Sequence, residues 1–271
     1  MYDEAADVAN HLKEIATMDE ALREARTGVD WPRSIVCDVG GGGGLRAALL
    51  STRVARAYCA DVIDQQARYH GEFVRLLGEK LARHGRQLAI DRFEIHVTDA
   101  MALIYRDELF DFVCSVNAFE HIPDPARALQ EIARVLKAGA VAYISFDPIW
   151  TADTGSHFFH RVPEPWAHLV CGEEEFMERM RGAGSPAPEL EEFRCAMNRV
   201  RLGRYLEILS ESALARLGLD IVSFRKWEGL ERPEHLEHEN YAKAVARFRR
   251  EDLLTRGIAC VLRKRPDESR K

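Results

Sequence analysis

Several classes of protein are excluded by what this chain lacks. No apolar run in its 271 residues approaches the ~20 that cross a bilayer, and the acidic N-terminus has no basic flank of the kind that opens a signal peptide. A cytoplasmic protein with no membrane role is therefore expected. Excess positive charge is also missing: the net charge is −6, and arginines are interleaved with Glu and Asp, so no nucleic-acid partner is expected. The six cysteines form no C-x-x-C pair, and four of them (37, 59, 114 and 260) fall in apolar runs that read as strands, which points to reduced, buried thiols. No internal repeat is present. Two nucleotide motifs are absent as well. G-x-G-x-x-G fails in every frame, because Leu45 and Arg46 stand where the third glycine is needed, and no Lys-Ser or Lys-Thr pair follows to make a P-loop.

What is present is a glycine-rich turn. Residues 34–44, SIVCDVGGGGG, run from a short apolar strand through Asp38 into five consecutive glycines and then a helix-forming LRAALL. The pattern that fits is D-x-G-x-G-x-G, with Gly40, Gly42 and Gly44 as the spaced glycines. Glycine is required where the backbone takes φ > 0 or lies against a ligand, although a merely flexible turn uses the same residues.

The rest of the chain alternates. Val8, Leu12, Ile15 and Leu22 predict an amphipathic N-terminal helix, or a helix pair, over 2–26, in a helical segment bounded at 1–32. Strands are expected at 56–60, 93–97, 110–116 and 140–146, with crossover helices between them. Asp64 is read as the cap of one long helix bearing Phe73, Leu77 and Leu81, which Gly85 ends. Asp124-Pro125 starts another, lined by Leu129, Ile132 and Leu136 and closed by Gly139. Alternation of this kind implies an α/β, doubly wound, mostly parallel sheet with its ligand at the C-terminal strand ends.

After Asp147-Pro148 the pattern changes. Residues 149–172 are rich in aromatics, His and Pro without a period, and read as an ordered loop or lid within an insertion at about 148–198 of a 33–271 domain. A helix at 173–181 and a surface turn at 182–188 follow it. One helix bearing Leu206, Leu209, Ala213 and Leu217, a strand at 220–227, a helix at 238–255, a last strand at 257–263 and a charged tail complete the chain.

Three acids stand just after successive strands: Asp38, Asp61 and Asp99. Each alone reads first as a turn or cap residue, but together with the glycine loop they converge on one crevice, where a carboxylate at the second strand can accept ribose hydroxyls. At these residues the chain resembles the class I S-adenosylmethionine-dependent methyltransferases, over roughly 33–147. VCDVGGGGG is similar to that family's first motif, YCADV to its ribose strand, VTDAM to its adenine motif, and FDFVCSVNAFEHIPDPARALQEIARVLKAGAVAYISF to its next block. Gly41 and Gly43 replace larger residues usual in the family, and Ala138-Gly139-Ala140 stands where Pro-Gly-Gly is common.

The resemblance implies S-adenosylmethionine as cofactor, held by Asp38, Gly40, Gly42, Gly44, Asp61, Val62, Asp99, Ala100 and Asn117. It also implies a seven-stranded sheet with the last strand antiparallel, and methyl transfer by in-line displacement to a small-molecule O-, N- or C-nucleophile. His121 is the candidate base by position, with a packed or capping histidine as the alternative. His157, His160 and Trp166 are the candidate substrate wall, the alternative being a core-covering or homodimer-forming segment. His157, His160, His168 and Cys171 match no zinc spacing, so no metal is expected. Two other readings stay open: a cofactor-binding regulatory partner without chemistry, and a nicotinamide oxidoreductase, against which the missing third glycine argues.

Overall fold

The computed structural model describes residues 3–266. The first two residues and the end of the charged tail lie outside it.

Seven strands form one sheet in the order β3-β2-β1-β4-β5-β7-β6: β1 Ile35–Val39, β2 Arg56–Asp61, β3 Phe93–Val97, β4 Phe110–Val116, β5 Leu136–Phe146, β6 Leu219–Glu228 and β7 Thr255–Lys264. The β1–β2, β1–β4, β2–β3 and β4–β5 pairs are parallel. Only β7 runs against its neighbours, β5 and β6. The expected architecture, including the antiparallel last strand, is what the chain adopts. β4 is almost wholly buried, as a strand covered on both faces must be.

Two cores cover the two faces. On one, α1 (Glu4–Glu24), α2 (Leu45–Leu50) and α4 (Phe73–Arg83) pack on β1 and β4 through Met18, Leu50, Leu81 and Phe112. On the other, α5 (Pro125–Val135) and two later helices, α9 (Leu202–Ile208) and α10 (Glu211–Arg216), pack through Leu129, Ile132, Tyr205 and Leu214. The N-terminal segment is one helix, capped by the Asp3 side chain, which accepts from the amides of Ala5 and Ala6.

Several helix boundaries differ from expectation, each for a local reason. Asp64 does cap a helix, accepting from the Ala67 amide at 2.8 Å, but that helix, α3, spans only Gln65–Arg68. His70 and Gly71 then take φ of 51° and 86°, which no helix continues through, and α4 starts afresh at Phe73. Leu136 opens β5 instead of closing α5, and Gly139, at φ 79°, lies within that strand. The predicted helix around Leu206–Leu217 is two, because Ser210 turns outward and caps α10. The 238–255 segment likewise divides into α11 (Glu239–Val245) and α12 (Arg250–Leu254).

The insertion after β5 carries α6 (Ala167–Val170), α7 (Glu173–Gly182) and α8 (Ala187–Cys195). α8 occupies part of what reads in sequence as a surface turn, since Pro188 sits in its first turn, where a missing N–H costs nothing. Two small cores hold the insertion. Phe158, Phe176, Met177 and Phe193 form one, and Trp166, Leu169, Ala244 and Leu253 form the other, which ties it to α11 and α12.

Candidate active site

The glycine loop takes the geometry its spacing predicts. Gly40, Gly42 and Gly44 have φ of 71°, 54° and 67°, while Gly41 and Gly43 between them do not enter the left-handed region. A Cβ on Gly40 would stand 2.4 Å from the Ala118 Cβ, whereas one on Gly42 would meet nothing within 4 Å and faces open space. The loop is thus anchored at one glycine and open at the next.

Asp38 does not face that opening. Its carboxylate is buried, and both oxygens accept from the one nitrogen Arg46 Nη1, at 2.8 and 2.9 Å, beneath the loop. Arg46 also donates to Glu14 of α1 at 2.8 Å, and Glu14 accepts from the Asn117 side-chain amide at 3.2 Å. The expected direct role of Asp38 toward a ligand is therefore corrected: burial and the Arg46 guanidinium make it the foundation of the loop. Arg46 holds its charge more firmly than an ordinary arginine despite desolvation, because Asp38 and Glu14 sit against it. The signal for this was visible in sequence as the one charge in an otherwise apolar LRAALL, all six residues of which are buried.

Asp61 is placed as expected, at the end of β2 beside the loop. Oδ2 accepts from the Gly42 amide at 2.7 Å and Oδ1 from the Ile63 amide at 2.9 Å, so one carboxylate fixes both the loop and the following turn. Val62 beside it is 66% exposed, and Ile104, in the segment between β3 and β4, is 64% exposed, so both aliphatic side chains are left uncovered. Asp99 accepts from the Met101 amide at 2.7 Å and shapes the turn carrying half-buried Ala100. Glu131 and Arg134 of α5 clamp the same loop from below: Glu131 accepts from the Leu103 amide and Arg134 donates to the carbonyls of Leu103 and Tyr105. A carboxylate, glycine amides and exposed aliphatic surface together fit a nucleoside with an anionic or polar tail.

At the end of β4 the chain turns sharply. Asn117 takes φ 54°, and its amide donates to the Ser145 carbonyl at 2.8 Å. Asn117, His157 and Trp166 are three of the seven non-glycine residues at positive φ among the described residues, and all three were singled out from sequence as site candidates. Such backbone strain persists where surrounding structure enforces it and concentrates at functional sites.

The fold brings His121 and His157 together, with ring centroids 5.0 Å apart in an edge-on arrangement. Each is fixed by a backbone carbonyl: His121 Nδ1 to Ala196 at 3.0 Å, and His157 Nε2 to Pro148 at 3.1 Å. Burial drives His157 down to about 4, so its imidazole is neutral at ordinary pH. Within 4.8 Å of a ligand atom on each lies one from a residue that the sequence motif contains but that was not singled out. Glu120 is 1% exposed, neither carboxylate oxygen has a hydrogen-bond partner, and desolvation pushes it up to about 8.

The other two wall candidates are elsewhere. His160 is exposed, near Phe158 on the outer side of the insertion. Trp166 is fully buried against Tyr241 and His235, and its indole has no surface to offer an acceptor. Its expected place in the substrate wall is corrected to that of a core anchor. His168 and Cys171 are each bonded to a backbone carbonyl, those of Trp150 and Ala167.

Comparison with known proteins agrees with this geometry. Residues 37–144 match the family model described as a methyltransferase domain. The chain is 30% identical over 166 residues to the 2-methyl-6-phytyl-1,4-hydroquinone methyltransferase of Arabidopsis thaliana, covering 61% of this chain and 44% of that protein. It is 31% identical over 139 residues to the ubiquinone biosynthesis O-methyltransferase of Nitrosomonas europaea, covering 51% and 49%. The chain thus spans less than half the length of either. A solved S-adenosylmethionine-dependent methyltransferase from Methanosarcina mazei shares the fold, with a TM-score of 0.51 at 19% identity over 87% of this chain and 94% of that one. Domain match and sheet order agree on a Rossmann-like methyltransferase fold. Over residues 37–144 the chain is similar to a methyltransferase domain, and the cofactor that this similarity indicates is S-adenosylmethionine.

Proposed function

We propose that this chain transfers the methyl group of S-adenosylmethionine to a hydroxyl oxygen of a small-molecule acceptor, with hydroquinones and related phenols as the first class to test. The observation that carries the reading is the cluster formed by Glu120 and His121, in the turn after β4 that begins at Asn117, with His157 of the insertion after β5. Two relatives whose names refer to hydroquinone and ubiquinone chemistry favour a phenolic acceptor.

In this reading Asp61 accepts the ribose hydroxyls, Val62, Asp99 and Ala100 border the adenine, and Gly40, Gly42 and Gly44 let the backbone approach the cofactor. Asn117 borders the methionine side. The acceptor oxygen attacks the sulfonium methyl in line, the C–O bond forms as the S–C bond breaks, and the electron pair stays on sulfur. A sulfonium leaving group needs no acid, so the protein's work is to place the two reactants, exclude water and accept one proton. His121 or its neighbours in the cluster take that proton. The insertion at about 148–198 forms the cover on the acceptor side.

A labelled-methyl assay over a panel of hydroquinones, catechols and simple amines tests this. Transfer to phenolic oxygen is the expected result. Tight binding of S-adenosylmethionine with no transfer to any acceptor would overturn it and leave a cofactor-binding partner protein as the better reading.

A further inference from the structure

Glu120 poses a physical problem that methyl transfer alone does not answer. A carboxylate with 1% exposure and two unpartnered oxygens is costly to bury, by several kcal/mol when ionised, and such groups are ordinarily paired with a cation or a donor. Its oxygens do not lack neighbours of the right kind. One ligand atom each from Glu120, His121 and His157 lies within 4.8 Å of the other two.

The two imidazoles are also presented in one particular way. His121 donates from Nδ1 to the Ala196 carbonyl, which leaves the Nε2 lone pair free, and His157 donates from Nε2 to the Pro148 carbonyl, which leaves Nδ1 free. A backbone carbonyl on the far nitrogen is the usual outer support of a metal-ligating histidine, because it fixes both the tautomer and the ring plane. His157 is further held at φ 64°, a conformation that its neighbours must enforce. Two half-buried imidazoles, each locked with one lone pair spare, and one buried carboxylate without a partner make a three-ligand set.

We infer that Glu120, His121 and His157 bind a divalent first-row cation, Zn2+ or Fe2+ being the best suited to two imidazoles and one carboxylate, with at least one coordination position open toward the acceptor. Three protein ligands with an open position are the pattern of catalytic zinc and of non-haem iron sites. The expectation of no metal came from the spacing of His157, His160, His168 and Cys171. It did not consider Glu120 and His121, which the fold brings to His157 from a separate strand end. The site stands on this geometry alone. Its role rests on the methyl-transfer reading, in which the ion would replace His121 as the group that activates the acceptor: a hydroxyl bound at the open position would release its proton to solvent more readily and then take the methyl.

The full chain, stripped with a chelator, is titrated with Zn2+ and with Co2+ as a spectroscopic probe, without acceptor or cofactor. Failure of the methyl-transfer reading therefore leaves this result untouched. One equivalent is expected to bind. Glu120→Gln, which preserves shape, and His157→Asn, chosen because Asn tolerates the left-handed backbone, should each weaken binding by about 100-fold or more, since even losing an outer support costs about 10–100-fold. Unchanged melting temperature and S-adenosylmethionine affinity show that the variants fold. His160→Ala, exposed in the same segment, should bind as the parent does. Absence of saturable binding, equal binding by the Glu120 and His157 variants, or a cobalt–thiolate charge-transfer band placing the ion on Cys171 or Cys195 would each overturn the inference.

Discussion

Arg46 holds Asp38 by two hydrogen bonds, at 2.8 and 2.9 Å, with both side chains buried under the glycine loop. The pair joins sequence to site: the acid of the glycine motif supports the loop from below, and Arg46 extends that support to Glu14 of α1 and through it to Asn117.

Removing one partner of a buried pair strands the other charge. Arg46→Met is expected to lower stability by about 3–5 kcal/mol, whereas Asp38→Asn in the Arg46→Met background should recover a large part of it. Denaturant melts of the single and double variants measure the coupling. Additive losses would show that the two groups do not interact as the geometry requires.

Asp61 should behave differently, because it is partly exposed and its carboxylate is poised beside the open face of the loop. Asp61→Ala is expected to weaken S-adenosylmethionine binding by about 2–3 kcal/mol, since hydrogen bonds to a charged group are the stronger kind. The free protein should still fold, with its melting temperature lowered by the loss of the Gly42 and Ile63 amide bonds. Calorimetry reads the affinity, and unchanged binding in a folded variant would remove Asp61 from the ribose.

Much of this was legible in the residues themselves. The strands announce themselves as apolar runs, and an acid at the end of each early strand predicts where a ligand crevice opens, because parallel topology brings those ends together. Helix breaks were harder to see. Asp64 signals a start, but nothing in the sequence weighs that cap against the positive φ that His70 and Gly71 adopt six and seven residues later. The pairing of Glu120 and His121 with His157 was out of reach for another reason. Local spacing reports neighbours on one element, and these residues meet only because the segment after β5 folds back over the end of β4.

Trp166 shows the same limit from the other side. An aromatic in an irregular, His-rich stretch reads as a binding residue, yet its indole fills the small core with Tyr241 and Leu253. Trp166→Ala should therefore cost about 3–5 kcal/mol of stability. Kinetic constants per folded enzyme should change little. Thermal melts with active-site titration separate the two effects, and a raised acceptor KM at unchanged stability would return Trp166 to the substrate wall.

The insertion should also loosen in acid, through His168. Its Nε2 donates to the Trp150 carbonyl at 2.7 Å, its ring packs edge-on against Trp150 and near Phe176, and Arg199 and His157 are the charged or titratable groups that disfavour its protonation. Desolvation lowers it from 6.5 to about 4. A folded value below the unfolded one means that the unfolded chain binds the proton more readily between those two values. Stability from this group is therefore fully present above pH 6.5, declines as the pH falls, and levels off below about pH 4, for a total on the order of 3 kcal/mol. His157 adds a decline of the same sign, so the isolating measurement is the difference between the parent and His168→Gln, whose amide can still donate to Trp150 but does not titrate. Stability measured from pH 7.5 to 4.5 should converge for the two proteins as the pH falls. Parallel curves across that window would show that His168 is not buried in its neutral form.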